Sequence, residues 1–247
     1  MTLAPRLLFL AALLAPVAPR MAMAGEREVA RMVSFGGACA GCELSGRKLV
    51  GARFIGSNFA RADLSRADLS ETGMTGANFA QANLSGARLR GAELRGTNLA
   101  GANLSGADAT GVEAQGGNFT RAVLGRTQLA GAQLLGALLT GADARNASFR
   151  GAGLQAAVLT NGRFDGADFR DADLSGAMIG GVDLSRARGL TQGQLDEACG
   201  DARTKPPERL TVRSCSGVRL FVRRTVSPPV PPTPPSPPAP RHLVMTD

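Results

Sequence analysis

Four cysteines and a set of regularly spaced carboxylates are the residues of this sequence with the most chemistry to offer. Cys39 and Cys42 form a C-x-x-C, and Cys199 and Cys215 stand far downstream. Such a set suits disulfides, thiol–disulfide exchange or a four-cysteine zinc site. Redox exchange is disfavoured because no βαβ pattern surrounds the C-x-x-C, and zinc because the two pairs lie at opposite ends of the chain. An even count favours disulfides, and the expected pairs are Cys39–Cys42 and Cys199–Cys215. The second would close a loop worth about 3 kcal/mol. Carboxylates such as Asp63, Asp68, Asp168 and Asp173 recur, yet none stands in a nucleophile–base pattern. The single histidine, His242, lies among prolines, and Trp and Tyr are absent. Triad chemistry, histidine-ligated metals and aromatic-lined pockets are therefore excluded. The expectation is a protein that is not an enzyme and takes no cofactor or metal.

Position along the chain is set by a period of five. From Leu44 to Leu184 a central residue recurs at 29 positions in one frame, and 26 of them are Leu, Phe, Met or Ile. The exceptions are Ala109, Ala114 and Ala144. Two residues before the centre is a small residue, Arg47 excepted, and it is Ala in 19 of the 29 cases. Neither a helix nor a plain strand has this period, whereas a coiled solenoid does. If four pentapeptides complete a coil, residues i and i+20 stack at the ~4.8 Å spacing of β-strands. Centres and small residues then point inward, and glycines two after the centre, such as Gly46 and Gly86, turn the corners. The i+20 columns are apolar ladders, Leu44 to Leu184 and Phe59 to Ile179 among them. The core is expected to be thinnest at Ala109, with Val112 compensating for Ala114.

The units Ala62-Asp63-Leu64-Ser65-Arg66 and Ala102-Asn103-Leu104-Ser105-Gly106 carry the pattern A-(D/N)-L-x-x, which resembles the pentapeptide-repeat family. The resemblance implies an all-β fold, a right-handed quadrilateral β-helix, here of about seven coils over residues 43–187. It specifies a scaffold rather than a site. In that family DNA mimicry that engages type II topoisomerases is well known, and it needs continuous acidic stripes. Residues 43–187 carry 15 basic and 13 acidic side chains, with signs alternating along the columns. Lys48, Asp68, Arg88, Asp108 is one such column. Mimicry and direct nucleic-acid binding are both disfavoured by this balance.

The flanking segments divide into four. Residues 1–24 read as a secretory signal peptide, with one early Arg, an apolar run Leu7–Ala18 and the cleavage motif Ala22-Met23-Ala24. Cleavage is expected after Ala24, giving a periplasmic or secreted chain with no transmembrane segment. Residues 25–42 are expected to form an N-terminal cap, with Val29, Met32 and Val33 on one helical face. Arg47, at an inward position, predicts an irregular first coil. Residues 188–216 are expected to cap the other end with a short helix. Thr191 and Gln194 would form its capping box, Leu195, Ala198 and Cys199 would share one face and Gly200 would be its stop. The stretch through Cys215 also resembles the C-terminal segment of some exported bacterial members of the family. Residues 217–247 hold a basic β-prone stretch and a tail with nine prolines between Ser227 and Pro240.

One outer column changes character. Asn58, Asn78, Asn98 and Asn118 give way to Leu138, Val158 and Met178, with Leu135 nearby. These four apolar residues are the candidate interaction stripe, offered to an envelope partner or to a second copy. The functional expectation is an exported, non-catalytic scaffold or interaction protein of the cell envelope. The alternatives are a cytoplasmic DNA mimic that binds topoisomerase and a C-x-x-C redox protein.

Overall fold

The computed structural model describes residues 37–214. Its architecture follows from how one pentapeptide satisfies its own backbone. In the unit Ala62–Arg66, the Leu64 N–H donates to Asn83 O and the Arg66 N–H to Ser85 O on the next coil. The Asp63 N–H donates to Cys42 O on the coil before. The corner closes when the Ala67 N–H donates back to Leu64 O at 3.0 Å. The fifth N–H, that of Ser65, has no backbone partner and donates to Asp63 Oδ1 at 2.9 Å. The Asp or Asn of the repeat is thus a backbone acceptor, which removes the one donor the coil itself leaves over.

Parallel bridges join i to i+20 from Ala38 to Arg188. Four ladders result, one per side of the coil. The first side runs from Glu43 to Lys205, the second from Lys48 to Arg188, the third from Arg53 to Asp173 and the fourth from Ala38 to Cys199. They carry nine, eight, seven and nine rungs, so the stack is longer than the seven coils expected. Each side contributes a single bridging residue between turns rather than an extended strand. Every corner from Gly41 to Gly181 has a residue with positive φ, and ten of them use a side-chain-bearing residue there, such as Arg61 at 59° and Ala156 at 54°.

The interior is closely filled. Phe59 stacks on Phe79 at 4.9 Å and Phe149 on Phe169 at 5.2 Å, spacings that match the coil rise. Inward hydroxyls are satisfied by carbonyls: Thr97 donates to Met74 O and Thr127 to Leu104 O. At the expected thin point, Ala109, Val112 and Ala114 are all buried. The compensation comes from Phe119. A methyl group on Gly117 would lie 2.9 Å from Phe119 Cε2, so the ring leans into the corner that Ala114 and Gly117 leave open.

The ends differ from expectation. The ladders begin at Ala38, inside the segment expected as a cap, and Cys39 and Cys42 fill a centre and a small position in the same frame. The backbone at Arg47 is regular, its N–H donating to Leu44 O and its carbonyl accepting from Asp68. The rest of residues 25–42 lies outside the described residues.

At the other end, helix α1 (Gln192–Glu197) has Thr191 as its N-cap and the capping box with Gln194. Gln194 also donates from Nε2 to Phe169 O and Ala172 O, tying the helix to the last coil. Leu195 enters the core. The chain then rejoins the ladders, Cys199 on Met178 and Lys205 on Asp183. These offsets are 21 and 22 residues, so α1 replaces one side of a coil rather than lying outside it. Gly200 is not the helix stop: α1 ends in an extended Ala198. Glycine is required at 200 because Val212 Cγ1 lies 2.2 Å from where its methyl would be.

Candidate interaction face

The cysteines resolve first. Cys39 and Cys42 are joined by a disulfide with Cα atoms 5.2 Å apart. In the pentapeptide frame a centre and the small residue three further on both point inward across one corner, which is where Phe59 and Ala62 stand in the next coil. The disulfide takes the place of such an apolar pair and packs partly buried against the core. Cys199 is disulfide-bonded; its expected partner, Cys215, lies outside the described residues.

The carboxylates are turned to the backbone. Asp63 accepts from Ser65, Asp68 from Ser70, Asp168 from Arg170 and Asp173 from Ser175, each from the N–H two residues on. The hydrogen bond from the Arg170 guanidinium, with the backbone bond beside it, lowers the Asp168 pKa to about 2. Asp201 is held far down by the Gly181 N–H and by Arg203. These groups are locked anions in structural roles. Among the described residues no group of His, Cys, Asp or Glu could hold a metal ion, and no helix is long and apolar enough to cross a membrane.

Charges of both signs mix along the outer columns of three sides. Arg88 faces Asp68 at 3.9 Å and Lys205 faces Asp183 at 3.3 Å, and Arg95 pairs with Glu113 and Glu93.

The fourth side is different. Its central column starts as a ladder of amides: Asn78 donates to Asn58, Asn98 to Asn78 and Asn118 to Asn98, at 3.0–3.3 Å. Each Asn also accepts the N–H two residues on, from Ala60, Ala80, Ala100 and Thr120. The column then continues through the bridges Leu138↔Val158↔Met178↔Cys199. The structure therefore brings Leu138, Val158 and Met178 onto consecutive rungs. Leu138 is 41 % exposed and Leu135, across the adjacent corner, 52 %, whereas Val158 and Met178 are half-buried.

Leu138, Val158 and Met178 stand in one column. Its surroundings share the same property. The neighbouring columns read Gln115, Leu135, Gln155, Ser175; Gly116, Gly136, Ala156, Gly176; and Thr120, Thr140, Thr160, Gly180. With Asn118 to Met178, four adjacent columns over four rungs carry no formal charge. The i+20 register applied to every outward position would have revealed it.

Twenty-residue coils of four pentapeptides, stacked by parallel bridges around an apolar core, define a repeat protein in which each coil is the template of the next. The family model for pentapeptide repeats in eight copies matches residues 39–76, 74–111 and 118–155, and one for nine copies matches residues 144–188. The chain belongs to the pentapeptide-repeat family. Among solved structures it is similar to HetL of the cyanobacterium Nostoc sp. strain PCC 7120, a protein involved in heterocyst differentiation regulation. Identity is 26 %, the alignment covers 73 % of this chain and 90 % of that one, and the TM-score is 0.50. It is also similar to QnrB1, a plasmid-mediated fluoroquinolone resistance protein (20 % identity, 69 % and 90 % coverage, TM-score 0.43). A third is a pentapeptide repeat protein of the Arabidopsis thaliana thylakoid lumen (25 % identity, 61 % and 73 % coverage, TM-score 0.20). No curated protein sequence matches the chain.

Proposed function

We propose that this chain is an exported, non-catalytic scaffold or interaction protein of the cell envelope, built as a right-handed quadrilateral β-helical rod. The observation that carries the interaction role is the uncharged, partly apolar surface around Leu135 and Leu138. A solvated rod has no need to omit charge there while keeping it on its other sides. Export is supported by the leader-like residues 1–24 and by cysteines engaged in disulfides, which suit an oxidising compartment. The mixed ladders count against DNA mimicry, since Arg88, Arg95 and Lys205 interrupt any acidic stripe. The carboxylates serve the backbone, which counts against an enzyme. The test is fractionation of cells followed by N-terminal sequencing of the recovered protein. A periplasmic or secreted chain that starts at Gly25 is expected. An intact chain in the cytoplasm that starts at Met1 would overturn export and bring cytoplasmic partners back into consideration.

A further inference from the structure

We infer that the occupant of the uncharged face is a second copy of this chain, docked through the fourth side about a two-fold axis. The inference rests on the interaction role proposed above and names the partner.

Charge is the first argument. On the other three sides the outer columns carry acids and bases in a fixed order, so two copies would have to match that order to avoid like-charge contacts. The central columns of the fourth side carry no formal charge from Ala38 to Gly180. The same face of another copy meets no repulsion there in any register.

Register is then set by the apolar part. With the axis parallel to the stack of coils, each rung of the fourth side faces the same rung of the other copy, Leu138 opposite Leu138 and Val158 opposite Val158. The contact is self-complementary, as a two-fold interface must be. Polar groups raise little cost, because the amides of Asn78 and Asn98 already bond to their neighbours and to the backbone. Ala60, Ala80 and Ala100 present only methyl groups beside them.

Area gives the strength. Four rungs at ~4.8 Å by six residues at ~3.3 Å make roughly 400 Å² per copy, and the Asn and Ala columns add about half as much. The total reaches only the lower end of specific interfaces, about 1,200 Å². The dimer is therefore weak and reversible, and it is insensitive to salt because no charge takes part.

The experiment is sedimentation velocity and small-angle scattering on the full chain over a wide concentration range, at low and high salt. The test variant is Leu138→Asn with Val158→Asn. Asparagine is the residue of the rungs above, so the fold accepts it, and a thermal melt confirms this. The control is Gln128→Glu, on the opposite side. Wild type and control should show the same concentration-dependent, salt-independent dimer, and the double variant should weaken it about tenfold or more. A wild type that stays monomeric, or a dimer untouched by the double variant, would overturn the inference. If the wild type is monomeric but recovers an envelope protein through Leu138, the interaction role stands and self-association falls. If the wild type is monomeric and residues 216–247 become newly open to protease in the double variant, the face belongs to the chain's own C-terminal segment, which also overturns the dimer.

Discussion

At the scale of single residues, what distinguishes a repeat position is the backbone group it must serve. Asn98 accepts the Ala100 N–H, accepts from Asn118 and donates to Asn78. Asn98→Ala removes all three bonds at a half-buried site, and a loss of about 2 kcal/mol in denaturant titration is expected. Leu138 stands where an Asn stood on the rung before. Leu138→Asn restores an acceptor for the Thr140 N–H, so the same titration should show a gain of about 1 kcal/mol. A natural sequence that gives up this gain on three consecutive rungs is consistent with an apolar surface kept for contact.

The glycines separate into two physical kinds. Gly106 has a φ of 67° with nothing within 4 Å of an added methyl, so Gly106→Ala tests conformation alone and should cost about 1 kcal/mol. At Gly117 the obstacle is the Phe119 ring and Ala114 O, 2.9 and 3.0 Å away. Gly117→Ala should cost about 1–3 kcal/mol through overpacking, and combining it with Phe119→Leu should recover part of the loss.

At the scale of elements, the last coil is held by charge and by a capping box. Asp168 is buried, and its carboxylate is held at about 2 against an ordinary 3.8 by Arg170. Because the folded pKa is the lower one, this stabilisation is complete above the ordinary value and is lost as pH falls toward the folded value. It amounts to about 2 kcal/mol. Asp168→Asn should therefore be less stable than wild type at neutral pH and equal to it near the folded pKa, as followed by urea titrations at several pH values.

These elements were unequally legible in the sequence. The period of five, the inward ladders and the box of Thr191 with Gln194 could be read because each rests on local spacing. The start of the ladders at Ala38 was hidden because Cys39 and Cys42 do not look like a repeat, although they keep its frame. The return of Cys199 and Lys205 to the ladders was hidden because α1 shifts the register by one and then two residues. The uncharged grid needed three further columns, whose Gly, Gln and Thr residues are unremarkable until the coils are stacked.

At the scale of the whole molecule, each coil contacts only the coils on either side, so stability is propagated along one axis. Hydrogen exchange should be slowest in the central coils, at amides such as Leu104 and Leu124, and fastest at the two ends. The Cys39–Cys42 disulfide closes a very short loop, worth about 2 kcal/mol in the chain-entropy model. Its reduction should therefore raise exchange in the first coil and leave the central amides unchanged. A central region that also opened on reduction would show that the rod unfolds as one unit.

A stack of this kind exposes an open β edge at its end, a template on which further chains could build without limit. In most repeats it is the N–H of the centre that donates to the next coil, as Leu184 does to Lys205 O. One rung later the centre is Pro206, which has no N–H to give. The residue that follows the last rung of the first side thus has no such donor to offer an added coil, which makes that part of the terminal edge a poorer template for a further chain.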